Sequence, residues 1–259
     1  MNQAQRRIFL IQTLLSERRD CANMQIPADT DQQKRLLRTL FNIRMPRPVS
    51  EEFLQIQDEY LQQETALKGI TLLEDLTPQT DNLYLWQGDI TTLRCDAIVN
   101  AANSQLLGCF YPNHGCIDNA IHTFAGVQLR DACARLIIRQ GREEPTGRAK
   151  ITPAFNLPSR YILHTVGPLI HGRVTGEDRK QLACCYRSCL ELAQQYSIGS
   201  VAFCCISTGE FHFPNDCAAE IAVHTVREFL AKEQRGIKVI FNVFKDRDYQ
   251  IYQKLLRAD

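Results

Sequence analysis

The chain has 259 residues, 44% of them apolar and 23% charged, with 30 Lys and Arg against 29 Asp and Glu. A formal charge of +1 excludes a broad phosphate-neutralising groove, since nucleic-acid binders carry a clear basic excess or run. The apolar fraction excludes disorder. No apolar run reaches the ~18 residues of a membrane helix. Met1 to Arg7 lead into an amphipathic stretch rather than a secretory leader, so the expectation is a cytoplasmic protein. Eleven cysteines cannot all pair, and under reducing conditions each is a small hydrophobe, a metal ligand or a nucleophile.

Residues 1 to about 75 are Gln-rich, with Gly69 their only glycine. Ile8, Ile11, Leu14 and Leu15 share one helical face, as do Leu36, Leu37, Leu40 and Phe41, and then Phe53, Ile56, Tyr60 and Leu61. Three amphipathic helices are predicted. Asp29 with Gln32, or Thr30 with Gln33, can cap the second; Met45-Pro46-Arg47-Pro48 ends it; Ser50 caps and Gly69 closes the third.

After Thr77-Pro78 the texture changes. Leu83–Gln87, Ala97–Asn100, Tyr161–Val166, Val201–Cys205 and Lys238–Val243 read as strands. They alternate with helical periodicity over Asn119–Gln140, Arg179–Tyr196, Pro214–Gln234 and Asp246–Leu256. The fold class is α/β, a largely parallel sheet between helices preceded by a helical extension, divided as 1–75 and 76–259. Ligands of such sheets bind beyond the carboxyl ends of the strands.

Three loops leave those ends. Gly88-Asp89-Ile90 offers a carboxylate beside a backbone amide, or is simply a tight turn. Ile206-Ser207-Thr208-Gly209-Glu210-Phe211 precedes a helix that Pro214 can start. It can cradle a phosphate on backbone amides, or merely house a left-handed glycine. Without a Walker lysine it is no P-loop.

The third loop holds Asn103, then Cys109, His114 and Cys116 as C-x4-H-x-C, then Ile117 and Asp118. Thiolate and imidazole ligands favour zinc, and three of them leave one tetrahedral position open. Cys95, Cys133 or His122 could instead complete a closed structural site, or the thiols could be ordinary buried ones. Asp118 suits a base or a helix-capping carboxylate, and His122 a structural partner. The remaining cysteines read as core filling, with no C-x-x-C motif among them.

Gly88-Asp89-Ile90, Val99-Asn100-Ala101-Ala102-Asn103-Ser104, Ile117-Asp118-Asn119-Ala120-Ile121-His122 and Ser207-Thr208-Gly209-Glu210-Phe211-His212-Phe213-Pro214, in that order, resemble the macrodomain family. The resemblance implies a three-layer α/β/α sandwich that binds ADP-ribose in a cleft. It implies that Asp89 accepts from the adenine amino group, Ile90 gives a backbone donor, and Phe244 lies against the adenine. Ser207, Thr208, Gly209, Glu210 and Phe211 would wrap the diphosphate and distal ribose, with Ile117 also at the ligand. Asn103 and Asp118 match the catalytic pair of the hydrolytic branch, which removes mono-ADP-ribose from acidic side chains.

Where that branch usually has a glycine run, this chain has Cys109 to Cys116, which resembles the zinc-containing subgroup of bacteria and fungi. That subgroup also carries a helical extension. The implied cofactor is one zinc ion on Cys109, His114 and Cys116. The implied partners are mono-ADP-ribosylated protein, a class M sirtuin and a lipoyl-carrying glycine-cleavage H-like protein, with no nucleic acid and no membrane. Two rival expectations stand beside this one: a non-catalytic ADP-ribose reader with a structural zinc, and a thiol-based redox or scaffold protein.

Overall fold

Helix α1 (Gln3–Ser16) starts on the Asn2–Gln5 capping box, α2 (Thr30–Ile43) on Asp29, whose carboxylate accepts from Gln32 N at 2.9 Å, and α3 (Glu51–Lys68) on Ser50. The structure, a computed structural model, describes residues 1–18, 24–80, 82–232 and 235–257. The three apolar faces meet in their own cluster around Leu10, Ile11, Leu37, Phe53 and Leu61. Leu36 is half-buried at its edge, and Ile8, expected on the same face, is half-buried but does not pack against the cluster. Inside it the Arg7 guanidinium donates to Gln33 Oε1 at 2.9 Å, so a buried cation is satisfied by an amide.

The rest of the chain forms β1 (Thr71–Leu72), β2 (Pro78–Thr80), β3 (Leu83–Gln87), β4 (Leu93–Arg94), β5 (Ala97–Ala101), α4 (Ile117–Ala125), α5 (Val127–Gln140), β6 (Ala149–Pro153), β7 (Tyr161–Thr165), α6 (Gly176–Gln195), β8 (Ser200–Phe203), α7 (Asn215–Leu230), β9 (Lys238–Val243) and α8 (Asp246–Arg257). The main sheet runs β2-β3-β9-β8-β5-β7-β6. Its inner strands β3, β9, β8, β5 and β7 are mutually parallel, and the edge strands β2 and β6 are antiparallel to their neighbours. Val201, Ala202, Val239, Ile240, Ile98 and Val99 are fully buried, as a sheet covered on both faces requires. Five parallel strands put five carboxyl ends on one edge, which gathers the loops after β3, β5, β7, β8 and β9. Among the described residues, no helix is long and apolar enough to cross a membrane.

Four expectations need correction. The single helix over Asn119–Gln140 is two, α4 and α5, because Gly126 stands between them at φ +94°. Strand β6 went unrecognised because it is a half-exposed edge strand ending on Pro153, so it lacks the unbroken apolar run of its neighbours. Helix α6 begins at Gly176, earlier than its apolar face, because Thr175 and Asp178 form a capping box. The helix expected to reach Gln234 ends at Leu230; Gln234 and Cys21 lie outside the described residues. All ten described cysteines are free thiols.

Candidate active site

Strand β5 ends one residue before Ala102, and the loop after it turns back to place Asn103 against α4. Asn103 Nδ2 donates to Gly108 O at 3.0 Å and to Asp118 Oδ2 at 3.3 Å, while its Oδ1 accepts from Gln105 N at 3.1 Å. Asp118, in the first turn of α4, takes a second amide on Oδ1, from Asn100 Nδ2 at 2.8 Å. Burial pushes its carboxyl up to about 6, against the pull of the Asn100 amide and the Arg130 guanidinium. The expected pair is thus in contact, with a third residue, Asn100, that the sequence did not single out.

Asn100 is itself held from below. It faces His164 across the β5–β7 ladder, with Nδ2 3.3 Å from Nδ1 of the ring, and Nε2 of that ring lies 2.9 Å from Thr152 Oγ1 on β6. Burial drops the His164 imidazole to about 3, so it is neutral. His122 and Cys133 join His164 in a buried group distinct from Cys109, His114 and Cys116, although the His122 ring packs against Gly108; Cys95 is buried by Ser159. None of the three proposed extra ligands completes a closed site with Cys109, His114 and Cys116. His122 Nε2 lies 3.6 Å from Asp118 Oδ1, too long for a hydrogen bond.

Cys109 Sγ, one ring nitrogen of His114 and Cys116 Sγ lie within 4.8 Å of one another, all half-buried. Cys109 Sγ is 3.6 Å from His114 Nδ1. Cys116 is the N-cap of α4, where Sγ accepts from Asn119 N at 3.4 Å. Burial pushes its thiol up to about 12, a cost that a coordinated cation reverses by taking the thiolate. Two sulfurs and an imidazole on one loop, half-open to solvent, fit a zinc ion. His114 Nε2 points the other way, 3.5 Å from Glu210 Oε1.

The extension holds this loop. From α2, Arg38 donates to His114 O at 2.9 Å and to Asn119 Oδ1 at 2.8 Å, Asn42 Oδ1 accepts from Asn113 N at 2.9 Å, and Thr39 Oγ1 accepts from Asn113 Nδ2 at 2.7 Å. Asn119 completes the clamp by donating to Tyr111 O at 3.0 Å. Ile117, half-buried, opens α4 beside it.

The loop after β8 bends at Ser207, a non-glycine residue at φ +65°. The amides of Ser207, Gly209, Glu210 and Phe211 donate to no atom of the described residues, and the buried Ser207 hydroxyl has no partner. Gly167, after β7, lets that loop close in: a Cβ there would sit 2.0 Å from Ser207 Oγ. Thr208 is pinned by its hydroxyl to Cys205 O at 3.0 Å. Such a set of unspent donors is what a diphosphate needs.

Asp89 caps the turn after β3. Its Oδ1 accepts from Thr91 N at 3.0 Å, and its Oδ2 lies 3.1 Å from Lys68 Nζ at the end of α3. Burial alone would raise this carboxyl; Thr91 and Lys68 outweigh it and hold it below its usual value. Ile90 is buried beneath, and Phe244, just past β9, is 75% exposed. An exposed aromatic at a strand end is free to stack on a flat ligand.

A protein of Treponema medium with the printed name protein-ADP-ribose hydrolase is 56% identical to this chain over 99% of its length and 100% of its own. Residues 99–222 match the macro domain family. The chain belongs to the macro domain family. A crystallised Trypanosoma brucei macrodomain, in complex with ADP-ribose, superposes with a TM-score of 0.66 at 32% identity, covering 85% of this chain and 94% of that one. A Fusarium oxysporum protein named as a probable bifunctional ADP-ribose hydrolase/ADP-ribosyltransferase is 42% identical over 85% of this chain and 40% of its own. The mixed sheet between helices is the macrodomain α/β fold. This macrodomain brings Asn103 to Asp118 and Cys109 to His114 and Cys116, and lines the same sheet edge with Asp89, Ser207 to Phe211 and Phe244.

Proposed function

We propose that this chain removes mono-ADP-ribose from modified acidic side chains of proteins, with one zinc ion held by Cys109, His114 and Cys116. It is an ADP-ribosylhydrolase. The observation that carries this reading is the contact of Asn103 with Asp118 on a helix whose N-cap is Cys116. An amide–carboxylate pair suited to hydrolysis at a ribose carbon thus adjoins a thiol–imidazole group suited to a metal. Full-length identity to the Treponema protein supports the same activity.

The residues divide the ligand between them. Asp89 accepts from the adenine amino group, Ile90 offers its backbone donor, and Phe244 covers the ring. The free amides of Ser207 to Phe211 take the diphosphate, and Ile117 lies along the distal ribose. Asn103 orients that ribose, and Asp118, fixed by two amides, accepts the proton of the attacking water. When bound, zinc supplies Lewis-acid polarisation at the ribose end of the cleft.

The Fusarium relative, whose name joins hydrolase and transferase, supports a functional link to an ADP-ribosyltransferase. The transferase proposed is a class M sirtuin, and the modified target a lipoyl-carrying H-like protein. Residues 1–75 act as the extension and 76–259 as the macrodomain. Free thiolate ligands suit the reducing cytoplasm. Cys109→Ala and His114→Ala, with folding verified by circular dichroism, are expected to abolish release of ADP-ribose; full turnover by either variant overturns the zinc assignment.

A further inference from the structure

The extension does more than clamp the metal loop. Between α2, α3 and the end of α4 lies a cavity of about 720 Å³ whose lining includes Lys34, Arg35, Arg38 and Lys68 against one carboxylate among the described residues, Glu64. Its floor is apolar, built from Leu37, Phe41 and Phe124, and Leu67 stands at the rim, 71% exposed. That size and that mixture of apolar floor with a few charged groups are those of a ligand site.

The charges are not spent evenly. Lys34 pairs with Glu64 at 2.8 Å and Lys68 with Asp89 at 3.1 Å. Arg35 and Arg38, one turn apart on α2, face no carboxylate within ion-pair distance among the described residues; Arg38 holds only the neutral oxygens of His114 and Asn119. In a chain with a formal charge of +1, four cations against one carboxylate over an apolar floor, with Arg35 unpaired among the described residues and Arg38 drawn only at a distance by Asp89 and Cys116, are a local excess that favours an anion.

None of Asp89, Asn103, Asp118 or Ser207 to Phe211 lines the cavity, so it is separate from the proposed ADP-ribose cleft. It nevertheless touches that cleft at both ends, through Lys68 to Asp89 and through Arg38 to the His114 carbonyl. An occupant there would lie alongside a protein whose ADP-ribose is in the cleft.

We propose that this cavity docks an acidic, partly apolar peptide segment of the ADP-ribosylated protein, with Arg35 and Arg38 receiving its carboxylates. The inference rests on the reading of the substrate as a modified protein and assigns the helical extension to substrate selection. Apolar side chains of the segment cover Leu37, Phe41 and Phe124, and binding weakens as salt screens the charges.

The test is fluorescence anisotropy of a labelled peptide of alternating Glu and Leu, with a Lys/Leu peptide as control, on the full chain and two opposed variants. Arg35 is exposed, and Arg35→Glu is expected to weaken the acidic peptide about fivefold, while Glu64→Gln, which removes the one opposing charge, tightens it about twofold. ADP-ribose is expected not to displace the peptide. Loss of structure moves both variants the same way, so opposite shifts exclude it. No saturable binding, equal binding of the Lys/Leu peptide, or displacement by ADP-ribose overturns the proposal. Arg35→Glu is also expected to leave ADP-ribose affinity unchanged. Hydrolysis is measured separately, so an inactive enzyme that still discriminates the peptides contradicts the function and not the docking site.

Discussion

Glu210 Oε1 lies 3.5 Å from His114 Nε2, while Nδ1 of the same ring lies 3.6 Å from Cys109 Sγ. One imidazole therefore lies between the thiol group and the diphosphate loop, with the exposed Glu210 carboxylate near its far nitrogen. Partners of this kind raise ligand basicity and typically change metal affinity 10–100-fold. Glu210→Gln is expected to lower zinc affinity by about tenfold, measured by competition with a chromogenic chelator. Unchanged affinity would show that the contact only bridges two loops.

The Asn103 amide touches both the Gly108 carbonyl and Asp118. Asn103→Ala removes an oriented donor and is expected to cut kcat by about 10², with a smaller change in ADP-ribose affinity read by calorimetry. Weakened ADP-ribose affinity with kcat unchanged would make Asn103 a binding residue alone.

Much of this site was legible in the chain, because its pieces are short-range. C-x4-H-x-C sits on one loop, and Cys116 and Asp118 share the first turn of one helix. What the sequence concealed is what packing supplies at long range. Arg38 meets Asn119 across 81 positions, and a surface arginine on an amphipathic helix gives no sign of that partner. Asn100 and His164 were visible only as polar residues inside two mostly apolar strands, AIVNA and YILHT. The sheet register makes them neighbours. A buried polar residue in a central strand needs a partner, and that signal was there to be used. Edge strand β6, which supplies Thr152 to the same group, has no apolar run to announce it.

Gly167 leaves room for the Ser207 hydroxyl. Gly167→Ala is expected to push the β8–α7 loop outward, at about 1–3 kcal/mol in stability, and to weaken ADP-ribose at least tenfold. Thermal unfolding and calorimetry read the two effects. Unimpaired binding of ADP-ribose would show that the loop does not hold the diphosphate.

His164 is neutral when folded, its imidazole lowered by burial from 6.5 to about 3. The unfolded chain takes up a proton first as pH falls, so the stability from this group is complete above about pH 6.5 and lost progressively towards pH 3. Each pH unit inside that window costs about 1.4 kcal/mol for one group. Urea midpoints are expected to fall from pH 7 to pH 4, and less steeply in His164→Gln, in which position 164 no longer titrates. Identical slopes would place the acid sensitivity elsewhere.

The central claim is hydrolysis that needs the metal on Cys109, His114 and Cys116. Its most direct measurement is release of free ADP-ribose from a protein mono-ADP-ribosylated on acidic side chains, by the chain as purified, after chelator stripping, and after zinc is returned. Release that is lost on stripping and restored by one equivalent of zinc is the expected result. No release by the zinc-loaded chain, or an undiminished rate after stripping, would contradict it.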